Sequence, residues 1–485
     1  MTLLIKTGQK MNKKCLFSIL LLLLAVLLSA CATQNSVIPA NFAKPVKHYP
    51  QYQLHEKTLA NGLKIIVKED HRAPVVVSQI WYRVGSSYEA NGLTGLSHVL
   101  EHMMFKGTEN LGPNEFSKII AANGGRENAF TGRDYTAYFQ TMERNRFPVS
   151  FRLEADRMRN LVLDAEEFAK EIKVVMEERR MRTEDNPQRL TFEQFNAAAY
   201  VNSPYNIPVI GWMQDLESMS IEDLQTWYEY WYAPNNATLV VAGDVTPEEI
   251  FAEAEKHFAS IKPTRVPVPK PQKEIAQIGE RRIMVKAPAQ VPYLIMGYKV
   301  PTIINAKEKW EPYALDVLAS VLDGGSSARF SEELIRVKQV ATSVGAGYDA
   351  FTPRQEIYTF SGTPAQGKTV QELEAAIKEE LEKLKNKPVT AKELSRVKAQ
   401  TVAGKVYQKD SVFYSAMTIG MLETIGINWQ LGEEYENNIK KVTAAQVQEV
   451  AKRYFIDDTL TVAVLDPQEI TQSRVSNVGG GRHAR

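Results

Sequence analysis

The sequence predicts an α+β fold of two similar domains, in each of which helices pack on an antiparallel sheet. A helix, a turn and an apolar strand follow one another over Ser220 to Val245, and the same plan returns over Thr443 to Asp466. Predicted strands are mixed with long helices over 165–183 and 370–385, as in sheets that carry their helices on one face. Residues 262–273 contain four prolines, which favours a stiff linker between the domains.

Earlier segments of the two halves also match in outline. Apolar strands at 62–70 and 75–84 form a predicted strand pair that precedes a helix at 94–104. A similar strand pair at 282–287 and 293–300 precedes a helix at 310–322. The resulting scheme has six parts: a signal peptide 1–30, a tether 31–50, an N-terminal domain 51–261, a linker 262–275, a C-terminal domain 276–467 and a disordered tail 468–485.

Composition excludes several classes of site and partner. The 485 residues carry a formal net charge of +1, without a long block of one sign. This balance predicts no nucleic-acid partner and no binding to anionic membrane surfaces through charge. The two cysteines, Cys15 and Cys31, lie at the start of the chain. The folded body therefore has no disulfide and no thiolate metal site, which leaves histidines and carboxylates as candidate ligands.

The N-terminus predicts export from the cytoplasm. Lys13 and Lys14 precede an apolar run from Leu16 to Leu28, which is followed by small residues. This pattern is typical of a secretory signal. A permanent membrane helix is the weaker alternative, because the run is shorter than the ~20 residues that span a bilayer.

The segment Leu28-Ser29-Ala30-Cys31 resembles a bacterial lipobox. The resemblance implies cleavage before Cys31 and lipidation of its thiol, so that a lipid anchor is the only contact with the membrane. Ala32 resembles the sorting signal for the outer membrane. We therefore expect a periplasm-facing lipoprotein of the bacterial cell envelope, held at the outer membrane.

The helix predicted at 94–104 contains His98, Glu101 and His102. At about 100° per residue the two histidines lie about 40° apart and ~6 Å along the axis, so both imidazoles can bind one metal ion. This spacing predicts one Zn²⁺ per chain, with ligand bonds of ~2.0–2.1 Å. Glu101 shares their face and is placed to accept a proton from water that the metal activates.

A catalytic zinc site needs a third protein ligand. The helix at 166–183 offers carboxylates, among them Glu171, Glu177 and Glu178. Glu171 and Glu178 are seven residues apart and therefore share a helix face. Spacing alone does not choose the ligand among the three.

The chain resembles the inverted-zincin (HxxEH) metallopeptidases, the family of pitrilysin, insulysin and the mitochondrial processing peptidases. The small two-domain bacterial lipoprotein members are the most similar in length. The resemblance covers roughly residues 50 to 465 and includes further family-like stretches at 104–108, 124–131, 134–138, 208–212 and 232–237. It implies two homologous domains that form half of a clam-like chamber. It assigns zinc ligation to Glu178, 76 residues after His102, and a supporting role to Glu171.

The resemblance also implies how substrate is held. Asn128 and Ala129 correspond to an edge strand that pairs with extended peptides, although they read equally well as plain hairpin residues. Arg336 matches a substrate-binding arginine of the second domain, whereas the matching tyrosine position is occupied by Ser343. We therefore expect a homodimer or a heterodimer with a companion subunit that supplies an Arg/Tyr pair.

The predicted function is that of a zinc-dependent endopeptidase that hydrolyses peptides or unfolded polypeptides in the cell envelope, with Glu101 as general base. The alternative is a non-catalytic structural or peptide-binding subunit of an envelope complex. A retired site is expected to have lost at least one of its metal or base residues. All four, His98, Glu101, His102 and Glu178, are present.

Overall fold

The computed structural model describes residues 54–470. The predicted signal peptide, Cys31 and the tether lie outside the described residues, as does the predicted tail except for its first three residues. Within 54–470, no helix combines the length and the apolar character that a membrane span requires. The predicted domain boundaries within this range stay predictions.

The first half contains a six-stranded sheet with the strand order β1-β2-β6-β3-β5-β4. Its strands are β1 Leu54–Thr58, β2 Lys64–Glu69, β3 Val75–Tyr82, β4 Arg126–Thr131, β5 Thr136–Glu143 and β6 Ala237–Gly243. Apolar side chains alternate between the two faces of the inner strands, as the pleat requires. Val76 and Ile80 face the helices of the first half, whereas Val77 and Trp81 face the opposite side.

The first half has eight α-helices in the described residues, and all but the fifth cover one face of this sheet. They are α1 Leu96–Met103, α2 Glu115–Ala122, α3 Phe147–Arg159, α4 Ala165–Arg179, α5 Pro187–Ala199, α6 Met213–Ser218, α7 Ile221–Trp231 and α8 Pro247–Phe258. A π-helical turn at Arg180–Glu184 follows α4 directly. This wider turn separates the end of α4 from α5.

The second half repeats the plan with five strands in the order β7-β11-β8-β10-β9. The strands are β7 Arg281–Pro288, β8 Tyr293–Val300, β9 Ala341–Gly347, β10 Glu356–Pro364 and β11 Leu460–Gln468. The helices are α9 Glu311–Asp323, α10 Val370–Asn386, α11 Ala391–Lys409, α12 Val412–Thr424, α13 Gln430–Lys441 and α14 Ala444–Tyr454.

The two sheets share one connectivity, which confirms the predicted α+β fold with two related halves. Strands β2-β6-β3-β5-β4 correspond in order and direction to β7-β11-β8-β10-β9. Each sheet is antiparallel except for one parallel pair, β2 with β6 and β7 with β11.

The predicted direct pairing of the first two long strands in each half is wrong. The last strand of the half, β6 or β11, lies between them. All seven residues of β6 are buried, and such a strand needs neighbours on both edges and cover on both faces.

Each half supplies a helix that covers the free face of the other half's sheet. Helix α12 places Ala416 and Ile419 against Trp81 of β3. In return, Phe195 and Ala199 of α5 pack against Ile295 of β8. Because each sheet buries its second face under the other half, the two halves complete each other's cores.

Candidate metal centre

The chain entering α1 fixes the orientation of this helix. The backbone N–H groups of Gly95 and Ser97 donate to the buried carboxylate of Glu89, at 2.7 and 2.8 Å. An acidic side chain at the N-terminus of a helix accepts hydrogen bonds from the free N–H groups of the first turn, and it interacts favourably with the positive end of the helix dipole. Leu96, Val99, Leu100 and Met103 of α1 are buried in the first-half core. The other face of α1 carries His98, Glu101 and His102 into a cavity.

The loop before α6 packs closely against the start of α1. Gly211 has φ +82°, and a Cβ placed on it would lie 2.5 Å from the carbonyl oxygen of Thr94. Arg179, the residue after Glu178, donates to the Gly211 carbonyl oxygen at 2.7 Å and forms an ion pair with Glu193. These contacts tie the end of α4 to the beginning of α1.

Helix α4 brings Glu178 to the two histidines. Its N-terminus is capped by Asp164, whose side chain accepts from the backbone N–H groups of Glu166 and Glu167. At its other end the Glu178 carboxylate lies 3.9 Å from His98 Nε2 and 3.5 Å from His102 Nε2. Ligand atoms of His98, His102 and Glu178 all lie within 4.8 Å of one another.

This donor set fits a zinc ion. Two imidazole nitrogens and a carboxylate oxygen are typical zinc ligands, and tetrahedral coordination at ~2.0–2.1 Å separates them by about 3.3–3.4 Å. The distances from Glu178 to the two histidines are only slightly wider. Within residues 54–470, this is the one group of three or more His, Cys, Asp or Glu side chains arranged to hold a metal. The described second half therefore has no equivalent of it.

Glu171 supports His102 from the side away from the cavity. Its Oε1 atom lies 2.9 Å from His102 Nδ1, and its Oε2 atom lies 2.5 Å from Lys106 Nζ. The bond at Nδ1 leaves Nε2 free for the metal and fixes the ring plane. Lys106 lies in the family-like stretch 104–108 but was not among the predicted site residues, although it lies one turn after His102, a spacing that brings side chains together.

The two histidines have different electrostatic environments. Burial, together with the nearby His102, lowers the pKa of His98 to about 4, so this ring is neutral, as metal binding requires. Burial also lowers the pKa of His102, but hydrogen bonds to Glu171 and Glu178 outweigh it and raise the pKa to about 9. A zinc ion at Nε2 replaces the proton that these carboxylates favour.

Glu101 lies at the cavity wall, held by the β-sheet. The hydroxyl of Thr131, at the end of β4, donates a hydrogen bond to its carboxylate. Burial raises the pKa of Glu101, and the Thr131 hydrogen bond opposes that shift. Thr131 ends the family-like stretch 124–131, but helical spacing does not predict its contact with Glu101, because the contact joins a strand to a helix 30 residues away.

Arg182 is a further residue of the centre that the sequence analysis missed. It lies in the π-helical turn after α4, and its guanidinium forms an ion pair with Glu178. Its side chain is 73% exposed, whereas that of Glu178 is 12% exposed, so the arginine reaches the carboxylate from the solvent side. The signal in the sequence is the spacing of four residues between the two.

The metal residues open into a cavity of about 1040 Å³. Asn128 and Ala129 of β4 line the same cavity, and β4 is an edge strand of its sheet. The side chain of Asn128 accepts a hydrogen bond from the Ala129 N–H. A peptide that pairs with this edge has to displace that bond.

Arg336 is not brought to this site. It lies in a π-helical segment, Phe330–Val337, where its side chain is exposed and does not line the metal cavity. Ser343 is exposed on β9, the edge strand of the second sheet.

Comparisons with known proteins agree with this architecture. The family model described as insulinase (peptidase family M16) matches residues 64–211, and the model described as peptidase M16 inactive domain matches residues 218–401. The zinc protease PqqE of Helicobacter pylori is 32% identical over 421 residues, which cover 85% of this chain and 93% of that protein. The chain belongs to the insulinase family, M16. This confirms the predicted family.

Other M16 relatives extend the comparison. An uncharacterized zinc protease of Bacillus subtilis, YmxG, is 26% identical over 412 residues, covering 84% of this chain and 97% of that protein. A crystal structure of a protease from Helicobacter pylori gives a TM-score of 0.81 at 31% identity, covering 86% of this chain and all of that one. The peptidase M16 inactive domain from Pseudomonas fluorescens shares the fold, with a TM-score of 0.77 at 16% identity and coverages of 86% and 98%.

Proposed function

We propose that this M16 protein is a zinc-dependent endopeptidase in which His98, His102 and Glu178 bind the metal and Glu101 is the general base. The observation that carries the proposal is the convergence of these four side chains on one cavity, although Glu178 comes from a separate helix. The names of the relatives, which are zinc proteases, support the same reaction.

The residues of the centre have different roles in peptide hydrolysis. Zinc bound here supplies Lewis acidity toward water and toward the scissile carbonyl. Glu101 takes a proton from the attacking water and delivers it to the leaving amine. Burial raises the pKa of Glu101, and a raised pKa makes a carboxylate a better acceptor of the proton from water. Glu171 and Lys106 keep the His102 ring in place throughout.

We propose extended peptides and unfolded polypeptides as substrates. The edge strand β4 offers backbone groups along the cavity wall, and strand addition binds a peptide mainly through its main chain. A peptide held in this way passes the Thr131 end of β4, which contacts Glu101.

The position of Arg336 supports the proposal of a dimer. Since this arginine is exposed and does not line the metal cavity of its own chain, we propose that it serves the cavity of a partner in a homodimer or heterodimer. Full peptidase activity of the isolated chain, measured at a concentration where ultracentrifugation shows only monomer, would contradict this part of the proposal.

We also propose that the protein is a lipoprotein of the cell envelope, anchored through Cys31. The support is the order of residues before this cysteine: two lysines, an apolar run and then small residues. Metabolic labelling with a palmitate analogue should mark the wild type and not Cys31→Ser, and the variant should leave the membrane fraction. Equal labelling of both proteins would contradict the assignment of Cys31 as the lipidation site.

The direct test of function is Glu101→Gln. The amide cannot accept the proton, so we expect zinc content to stay near one per chain while kcat falls by roughly 10²–10⁴-fold. Glu178→Gln should instead lose zinc. Glu177→Gln is the matched control, because Glu177 is the exposed neighbour that pairs with Arg180. Unchanged hydrolysis in Glu101→Gln would refute the assigned base.

A further inference from the structure

A second cavity of about 460 Å³ lies beside the metal cavity and contains none of the metal residues. Both halves build it: the hairpin turn after β4, helix α5, helix α12 and the loop between β9 and β10. The two cavities are adjacent, and four residues line both: Arg133, Phe192, Asn196 and Tyr205.

Three carboxylates line this second cavity: Asp134, Asp349 and Glu356. Asp134 accepts hydrogen bonds from Ser87 and Tyr205, at 2.7 and 2.5 Å. Glu356 accepts from the Tyr200 hydroxyl and from the backbone N–H of Ile357. Burial raises the pKa of both Asp134 and Glu356, which reflects the cost of holding carboxylates away from water.

Basic groups around the cavity do not balance these carboxylates. Arg133 lines it, and its guanidinium lies over the Tyr205 ring, 4.7 Å from the ring centroid. Arg354 reaches Asp134 with Nε at 3.9 Å. Within residues 54–470, neither Glu356 nor Asp349 forms an ion pair within 4.0 Å. An ammonium or guanidinium group that entered the cavity would therefore supply an ion-pair partner that the described residues do not give to Glu356 and Asp349.

Five aromatic rings also line the cavity. The rings that line the cavity belong to Tyr135, Phe192, Tyr205, Tyr348 and Phe351. Ring faces attract cations, and a carboxylate among aromatic rings suits a lysine or arginine side chain, whose apolar stem also needs cover. The cavity therefore matches a long basic side chain better than an apolar or acidic one.

The second cavity lies next to the end of β4, the strand along which we propose that the peptide binds. Strand β4 ends at Thr131, which contacts the proposed base Glu101, and the turn that carries Arg133 and Asp134 follows at once. A strand advances about 3.3 Å per residue. A peptide lying along β4 therefore presents a side chain to the second cavity within a few residues of the bond at Glu101.

We propose that the second cavity is a specificity pocket that binds a lysine or arginine side chain of the peptide substrate, a few residues from the scissile bond. This inference rests on the proposed peptidase function. It assigns Glu356 and Asp349 as the groups that pair with the incoming cation.

Hydrolysis of a lysine-scanned peptide series tests the pocket. Each internally quenched peptide is Nα-acetylated, so that no terminal ammonium competes, and carries one lysine at a successive position. A matched peptide carries norleucine, which has the same stem without the charge. We expect kcat/KM to favour lysine by about tenfold at one or two neighbouring positions. A ratio near one at every position overturns the proposal.

Two variants locate the effect. Glu356→Gln keeps the acceptor atom that Tyr200 and Ile357 use, and Asp349→Asn keeps the acceptor for the Phe351 N–H. Either change should reduce the lysine preference to threefold or less. Asp349 is exposed, so its variant remains informative if Glu356→Gln folds poorly. Glu255→Gln, an exposed site on α8 that pairs with Lys57, should leave the preference unchanged. An undiminished preference in both pocket variants contradicts the assignment.

A binding experiment distinguishes failure of the specificity pocket from failure of the proposed peptidase function. Fluorescence anisotropy measures the affinity of labelled lysine and norleucine peptides for Glu101→Gln, alone and combined with each pocket variant, so that hydrolysis does not interfere. If no peptide is hydrolysed but lysine peptides still bind about tenfold more tightly, the peptidase assignment fails and the pocket stands. If peptides are hydrolysed with equal binding of both series, the pocket fails alone.

Discussion

At the scale of single residues, His102 is held at both of its ring nitrogens. Its Nε2 atom faces Glu178, and its Nδ1 atom is bonded to Glu171, which Lys106 holds in turn. Such a chain of contacts fixes the ring before the metal arrives and so lowers the entropy lost on binding. Neutralising one member should therefore act on zinc affinity through His102.

We predict that Glu171→Gln weakens zinc binding by roughly 10–100-fold, and that Lys106→Met weakens it by a smaller factor. Lys170→Met is the control: it removes the same charge from a lysine on α4 that is 65% exposed and forms an ion pair with Glu167. Competition with a fluorescent chelator measures all three affinities. Equal affinity in Lys106→Met and Lys170→Met would show that Lys106 does not position the site.

The residues of the centre differ in how far the sequence reveals them. His98 and His102 follow from helical spacing alone, whereas Glu171, Glu177 and Glu178 remain alternatives until the family resemblance chooses among them. The structure brings Glu178 to the histidines. Thr131 and the second cavity depend on packing between distant segments, which local periodicity does not encode.

At the scale of elements, α1 is positioned by the chain at its N-terminus. Glu89 binds the free N–H groups of Gly95 and Ser97, and the Gly211 loop packs directly against Thr94 and Gly95. A shift of this loop would rotate both histidines against Glu178. The strand order was less predictable than these helices, because β6 enters the sheet from a segment far along the chain and its register is a tertiary property.

We predict that Gly211→Ala lowers both the free energy of unfolding and the zinc affinity. The new Cβ meets the Thr94 carbonyl oxygen and the Gly95 Cα. Gly92→Ala is the matched control, since Gly92 has a similar φ of +89° with nothing within 4 Å. The control should cost about 1–2 kcal/mol from backbone strain, and Gly211→Ala should cost about 1–3 kcal/mol more. Equal denaturant midpoints for the two variants would rule out the close contact.

At the scale of the whole molecule, the exchange of α5 and α12 makes the halves depend on each other. Gly420 of α12 lies against the buried Trp81 of the first sheet, and a Cβ on it would lie 2.1 Å from the indole Nε1. Arg83 of the first half also donates to the Thr424 carbonyl oxygen at the end of α12. The repeat in the sequence predicted two related halves, but nothing local to α12 shows which sheet it covers.

We predict that Gly420→Ala destabilises the protein by about 1–3 kcal/mol and reduces protection from hydrogen exchange in β3 and β6 of the first half. Gly404→Ala, on α11 with open space around it, should instead stabilise by about 0.5–1 kcal/mol. Exchange followed by mass spectrometry resolves the segments. Faster exchange confined to α12 would contradict the mutual dependence of the halves.

The central claim is one zinc ion shared by two helices, and anomalous diffraction tests it most directly. Crystals of the zinc-loaded wild type, measured on both sides of the zinc absorption edge, should show one strong peak per chain. The peak should lie about 2.0–2.1 Å from His98 Nε2, His102 Nε2 and a Glu178 oxygen. A peak elsewhere, or a zinc ion bound by the histidines with Glu178 turned away, would contradict the account.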